Sequence, residues 1–230
     1  MKQNKTILIT HSTDVFGHGF ILNALKQDMR VIFNDQPDKA HLANKILAAA
    51  NALGLLHNLQ FIPADLSTEE GVEKLIDTAL EKCDNLNNFI INCPINYEKT
   101  LPVFHELTHL EWKTTLNTYL QPNFFLTRRI IEELLIQGSG GKIIQIALPQ
   151  AQMAKHAVYN SIQTALYSYI RSIAKEYGRR NILCNVIVPA TIENQESNIH
   201  SLIELLLYLL SDSASFITGE IFKLESSINI

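Results

Sequence analysis

The chain has 230 residues, of which 47% are hydrophobic and 18% charged, with a formal net charge of −4. That length suits one α/β domain, here residues 1–230, and the composition is that of a folded protein. A slightly acidic chain without long Lys or Arg runs lacks the basic face that nucleic-acid binding needs. The sequence also lacks a membrane-spanning apolar stretch and the apolar core of a signal peptide. We therefore expect neither nucleic acid nor membrane as a partner.

The three cysteines, Cys83, Cys93 and Cys184, are scattered and form no Cys-x-x-Cys pair. An odd, scattered set is typical of reduced thiols in a cytosolic protein. No local feature suggests a lowered thiol pKa, so a catalytic cysteine is not expected. The predicted location is the cytoplasm.

Short apolar runs alternate with segments of helical periodicity along the chain. The runs predicted to be strands are 7–9, 30–33, 59–62, 88–91, 142–147, 181–188 and 220–224. The segments predicted to be helices are 17–27, 39–53, 67–82, 112–135, 156–178 and 199–210. Ser67, with Glu70 three residues later, has the spacing of a capping box at the start of the third helix. This alternation predicts a Rossmann-type, doubly wound α/β fold: a seven-stranded parallel sheet with helices on both faces.

Several segments make the chain similar to a known family. Residues 206–220 read LLYLLSDSASFITGE, residues 185–190 read NVIVPA, and residues 157–161 read AVYNS. Trp112 heads a helix that aligns without gaps. Through these segments the chain resembles the short-chain dehydrogenase/reductase family from end to end. Within that family it resembles the 3-oxoacyl-acyl-carrier-protein-reductase-like and pteridine-reductase-like members.

The resemblance implies a dinucleotide site at the first strand-to-helix turn, which the family writes Thr-Gly-x-x-x-Gly-x-Gly. Here residues 10–17 read THSTDVFG, so Gly17 is kept while His11 and Val15 hold the other glycine positions. A β-branched residue such as Val15 disfavours a positive φ, and the charge of Asp14 lies beside the expected phosphates. Either the turn keeps the fold and has lost tight cofactor binding, or a dinucleotide binds in an altered pose. His11 is then a compensating cation or merely a polar loop residue.

Two carboxylates favour cofactor binding. Asp35 ends the second predicted strand, where a carboxylate accepts hydrogen bonds from ribose hydroxyls and repels a 2′-phosphate. By resemblance Asp65 contacts the adenine amine, although it suits equally well an N-terminal charge on the following helix. If a dinucleotide binds, NAD(H) is favoured over NADP(H). The expected cofactor-binding residues are Thr10, Ser12, Gly17, Asp35, Asp65 and Asn92.

The family transfers a hydride at a carbonyl carbon and moves a proton through a Tyr, assisted by a Lys, a Ser and an Asn. By resemblance Tyr159 is that Tyr. The Lys position holds Gln163, whose neutral amide cannot lower a phenol pKa by Coulomb attraction. Leu148 holds the Ser position and Tyr119 the Asn position. Lys155, one turn before Tyr159, is an alternative source of positive charge.

The stretch between Pro189 and Ser211, which forms a lid in the family, is roughly half the usual length and would leave a wetter site. Two hypotheses follow. The first is a pseudo-enzyme: a non-catalytic or weakly active oligomer with the family's fold and a possible small-molecule ligand. The second is an NAD(P)-dependent oxidoreductase that acts on a small carbonyl or alcohol with Tyr159 as acid/base. The long helices from Trp112 and from His156 resemble the family's dimer-forming pair, which implies a homodimer or homotetramer.

Overall fold

The structure is a computed structural model that describes residues 5–83, 85–92, 102–149, 156–190 and 196–225. The strands are β1 (Thr6–Ile9), β2 (Arg30–Asp35), β3 (Leu59–Pro63), β4 (Asn88–Ile91), β5 (Gly141–Ile146), β6 (Ile182–Val188) and β7 (Ile221–Lys223). The α-helices are α1 (Val15–Lys26), α2 (Ala40–Ala52), α3 (Glu69–Glu81), α4 (His109–Gln137), α5 (Ala157–Tyr177) and α6 (Glu196–Leu210). Short 3₁₀ helices lie at Pro37–Lys39, Leu56–Asn58, Phe104–Glu106, Gly178–Arg180 and Asp212–Ala214.

The seven strands form one sheet in the order β3-β2-β1-β4-β5-β6-β7. Every neighbouring pair is parallel, and Ile9 of β1 lies beside Phe33 of β2 on one side and Ile90 of β4 on the other. The chain thus builds outwards from β1 to β3 and then returns to β4. The predicted Rossmann-type sheet is confirmed. The point where the order reverses, between β1 and β4, is where open α/β sheets bind ligands.

Helices cover both faces of the sheet because the strands are apolar on both sides. Ile7 and Ile9 of β1 pack in one hydrophobic cluster with α1, α2 and α6. Leu8, between them, packs in a second cluster with α3, α4 and α5. Among the described residues, every helix is too short or too polar to cross a membrane.

The capping box predicted at Ser67 is wrong, because Thr68 caps α3 instead. The Thr68 hydroxyl accepts a hydrogen bond from the backbone N–H of Gly71 at 3.1 Å. The backbone N–H and the hydroxyl of Ser67 both donate to Oδ1 of Asp65, at 3.0 and 2.7 Å. A carboxylate two residues earlier therefore takes the hydroxyl that the helix would otherwise have used.

Cys184 is buried in β6, and burial raises the pKa of its thiol to about 12. A thiol with such a pKa stays protonated and unreactive near neutral pH. Cys93 lies outside the described residues.

Candidate functional site

The β1–α1 turn lies at the switch point of the sheet. Gly17 stands in the first turn of α1, where an added Cβ would lie 2.1 Å from the carbonyl oxygen of Ser12. Ser12 is itself buried, and its N–H donates to the carbonyl oxygen of Asn34 on β2 at 3.0 Å. The glycine that this chain keeps is therefore the one that helix–turn packing requires.

Asp14 caps the N-terminus of α1. Its Oδ1 accepts a hydrogen bond from the Gly17 N–H at 2.7 Å. Asp14 is exposed as a residue, but desolvation of its carboxyl group raises the pKa of Asp14, and the hydrogen bond from Gly17 opposes that rise. Free N–H groups at a helix N-terminus are the donors that bind anions. One of these donors is thus taken by a carboxylate of the chain itself.

His11, at the position of the family's first glycine, adopts a left-handed backbone with φ of 47°. Its side chain is 7% exposed, and its Nδ1 has no hydrogen-bond partner among the described residues. Burial lowers the pKa of His11 to about 4, against the opposing charges of Asp35 and Asp65. The expectation that His11 is a compensating cation is wrong, since its ring is neutral near pH 7. The alternative, a polar residue of the loop, agrees with its place between β1 and α1, where it is buried.

The prediction of backbone strain from a positive φ at Val15 is also wrong. Val15 is the first residue of α1, and its side chain is 72% exposed. The positive φ of this turn falls on His11 instead. Left-handed backbone is disfavoured for residues with a Cβ, so the cost lies at the first glycine position and not at the second.

Asp35, at the end of β2, is 1% exposed. Its Oδ2 accepts hydrogen bonds from the N–H and the hydroxyl of Thr13, at 3.0 and 2.6 Å. Its Oδ1 accepts from the N–H of Gln36 at 2.9 Å and lies 3.3 Å from Nζ of Lys39. Burial would raise the pKa of Asp35, but these donors, the Thr13 hydroxyl above all, lower it overall. Each carboxylate oxygen already has two partners, so a ribose hydroxyl would have to displace one.

Asp65 organises the loop before α3. Besides the two bonds from Ser67, its Oδ1 accepts a hydrogen bond from Nε2 of Gln36 at 3.0 Å. The hydrogen bonds from Gln36 and Ser67 lower the pKa of Asp65. Gln36 thereby connects the loop of Asp65 to Asp35. Neither Gln36 nor Ser67 was predicted from the sequence as part of the site.

Thr10 and Asn92 join the ends of β1 and β4. The Thr10 hydroxyl accepts a hydrogen bond from the Asn92 N–H at 3.1 Å, and the Asn92 side chain donates to the carbonyl oxygen of His11 at 2.9 Å. The structure therefore gathers the predicted cofactor residues in one place, which we call the switch-point crevice. It comprises residues 10–17, Asp35, Asp65 and Asn92.

The residues predicted for acid–base chemistry lie where the end of β5 meets α4 and α5. Oε1 of Gln163, on α5, accepts a hydrogen bond from the N–H of Leu148 at 3.2 Å. Its Nε2 donates to the carbonyl oxygen of Leu148 at 3.2 Å and to the hydroxyl of Tyr167 at 2.7 Å. Gln163 and Leu148 are both buried. The residues at the lost Lys and Ser positions are thus bonded to each other.

Tyr159 lies beside this pair and is 9% exposed. Its ring makes edge contacts with Tyr119 and with His156, each at a centroid distance of 5.8 Å. The buried members of this hydrophobic cluster, here the Tyr159 cluster, are Tyr119, Leu148, Val158, Tyr159, Ile162 and Leu166. The contact with His156 was not predicted. Lys155 lies outside the described residues, as do residues 191–195 of the shortened lid stretch.

Residues 5–200 match a family model described as short chain dehydrogenase. The chain belongs to the short-chain dehydrogenase/reductase family. A relative of this short-chain dehydrogenase/reductase is the L-rhamnose-1-dehydrogenase of Scheffersomyces stipitis, 27% identical over 192 residues that cover 82% of this chain and 72% of the relative. The 3-oxoacyl-(acyl-carrier-protein) reductase of Aquifex aeolicus is 23% identical, with 98% of each chain covered. Acetoin dehydrogenase from Enterobacter cloacae shares the fold, with a TM-score of 0.83, 21% identity, and 96% of this chain and 95% of the other covered.

Members of this family bind NAD(H) or NADP(H), and the residues of the switch-point crevice do not fit such a group in the family's manner. The family's glycines let the backbone approach a pyrophosphate. Here the His11 side chain is buried within the turn, and the carboxylate of Asp14 holds an N–H of the α1 terminus. Asp35 is likewise fully engaged. A dinucleotide would have to displace side chains of the protein itself.

Proposed function

We propose that this short-chain dehydrogenase/reductase is non-catalytic or weakly active, and that its acid–base site has become packing. The observation that carries the proposal is the reciprocal hydrogen bonding between the Gln163 amide and the backbone of Leu148. These are the positions at which the family places a cation and a hydroxyl. Here the residues at both positions hydrogen-bond each other, which satisfies the Gln163 amide and the backbone groups of Leu148.

A phenol with a reference pKa near 10 is a poor base at neutral pH unless a nearby cation stabilises the phenolate. Gln163 supplies no charge, and the side chain of Leu148 has no donor to orient a carbonyl. The surroundings of Tyr159 are mainly apolar and aromatic.

The test is turnover of NADH, NADPH and their oxidised forms with a panel of small aldehydes, ketones and alcohols. We expect the wild-type rate to equal that of Tyr159→Phe. Tyr208→Phe, which changes an exposed tyrosine on α6, is the matched control. Turnover that Tyr159→Phe abolishes and Tyr208→Phe leaves intact would contradict the proposal.

The second candidate is an NAD(P)-dependent oxidoreductase of small carbonyls or alcohols with Tyr159 as acid/base. Two observations favour it. The relatives named above are dehydrogenases and reductases, which supports this candidate more than the first. Tyr159 is retained, and the His156 ring lies edge-on to it. The turnover assay decides between the two. NAD(H) is the favoured cofactor because the carboxylate of Asp35 would repel the 2′-phosphate of NADP(H).

We also propose a homodimer or homotetramer in the cytoplasm. Leu110, Phe124 and Ile136 of α4 are exposed apolar residues, as is Phe216 shortly before β7. Burying such residues against a second copy would remove apolar area from water. Sedimentation velocity at micromolar concentration should give a dimer or tetramer, and a monomer would contradict the proposal.

A further inference from the structure

We propose that the protein fills its own switch-point crevice, with the His11 imidazole and the Asp14 carboxylate standing where a dinucleotide would bind. The inference deepens the proposed function, because it names what the crevice excludes and which side chains exclude it. It concerns binding alone and is independent of the Tyr159 cluster.

The Asp14 carboxylate is a substitute for the phosphate. It is an anionic oxygen group, and it accepts a hydrogen bond at 2.7 Å from the N–H of Gly17 in the first turn of α1. An incoming pyrophosphate needs the same end of the helix, where N–H groups and the helix dipole favour negative charge. Because this attraction is already used by a fixed carboxylate, a phosphate gains little from it and meets a like charge.

The His11 side chain fills the neighbouring space. Its ring is buried within the turn and interacts electrostatically with Asp35 and Asp65, the residues expected to meet ribose and adenine. Its Nδ1 is buried without a hydrogen-bond partner among the described residues. An imidazole inside the turn thus takes volume that the absence of a side chain leaves free in the family.

The charges around the crevice also oppose the binding of a dinucleotide. Asp14, Asp35 and Asp65 bring three carboxylates to it, and Lys39 contributes an ammonium group at 3.3 Å from Asp35. A pyrophosphate adds further negative charge, which these carboxylates repel. Sterics and electrostatics therefore both oppose a dinucleotide.

The experiment is isothermal titration of NADH and NADPH into His11→Gly/Asp14→Ser/Val15→Gly. Glycine accepts the left-handed φ at position 11, and serine keeps an N-cap on α1. We expect the triple variant to bind at least about tenfold more tightly than wild type, which is about 1.4 kcal/mol. If its circular dichroism spectrum differs from that of wild type, the titration is repeated with His11→Gly alone, which should also bind more tightly than wild type.

Two controls make the result specific. Val15→Gly alone restores a glycine but leaves both filling side chains, and Asp38→Ser removes an exposed carboxylate next to the crevice. Both should bind like wild type. Equal affinity of wild type and triple variant would overturn the proposal, and so would Val15→Gly binding as tightly as the triple variant. Neither outcome bears on turnover, so failure here is distinguishable from failure of the proposed function.

Discussion

Acid should destabilise this protein through His11, and the effect can be isolated with His11→Asn. Asparagine tolerates a left-handed backbone better than most residues and does not titrate in this range. The matched control is His41→Asn, which removes an exposed histidine from α2. Comparing each variant with wild type cancels the titration of groups that all three proteins share.

The magnitude follows from the difference between the folded and unfolded pKa of His11. The folded pKa is about 4, against an ordinary value of 6.5. Between these values the unfolded chain binds a proton at His11 and the folded chain does not, so the free energy of unfolding falls as the pH falls. At 1.36 kcal/mol for each pKa unit, wild type should lose about 3 kcal/mol relative to His11→Asn by about pH 4.

The neighbouring carboxylates contribute to the pH dependence of stability in opposite directions. The lowered pKa values of Asp35 and Asp65 add stability that is lost as pH falls through those values, whereas the raised pKa of Asp14 acts in the opposite direction. The lowering that His11 adds to the pKa values of Asp35 and Asp65 is lost in His11→Asn, whereas the rest of their contribution is common to wild type and variant. The His11 contribution is therefore the part of the pH dependence that disappears in His11→Asn.

The assay is urea unfolding followed by circular dichroism at about pH 7.5, 5.5 and 4. His41→Asn, measured in the same series, controls for the loss of a histidine at an exposed position. If the difference between wild type and His11→Asn changes by less than about 0.5 kcal/mol between pH 7.5 and 4, His11 is not buried as a neutral imidazole, and the reasoning fails.

Three further substitutions test the packing through the free energy of unfolding in urea. Gln163→Ala leaves a buried N–H and a buried carbonyl without partners and should cost about 2–3 kcal/mol, while Gln121→Ala on the exposed face of α4 should stay within about 0.5 kcal/mol. Gly17→Ala should cost about 3 kcal/mol or more from overpacking, whereas Gly178→Ala, with no atom within 4 Å of the added Cβ, should change stability by less than about 1 kcal/mol. Lys142→Met removes a donor to two carbonyls at the end of α6 and should cost about 1–2 kcal/mol. Equal losses within either matched pair, or an unchanged Lys142→Met, would contradict these assignments.

The fold class could be predicted because alternating apolar runs and helical segments favour a doubly wound parallel sheet, and the resemblance to a known family made that prediction specific. Strands buried on both faces are continuous apolar runs, and these runs are visible without knowledge of their neighbours. Element ends were predicted less well. α4 begins at His109 and not at Trp112, because Thr108 and Glu111 form a capping box, whose spacing is visible in the sequence.

The site could be predicted as a set of positions but not as a set of contacts. Gln163 and Leu148 are 15 residues apart and meet only once α5 packs beside the end of β5. Similarly, the partners of Asp35 depend on the path of the β1–α1 turn, which brings Thr13 to it from 22 residues away. Whether His11 is charged depends on its burial, a property of the packed turn and not of local sequence.

The hydrogen bonds between Gln163 and Leu148 also make the effects of substituting these two residues depend on each other. A single change from Gln163 to Lys would bury an unpaired ammonium and leave both backbone groups of Leu148 without partners. A single change from Leu148 to Ser would empty part of the Tyr159 cluster while the amide still holds the backbone. Each of the two single substitutions is therefore expected to be destabilising on its own, so the two positions are energetically coupled.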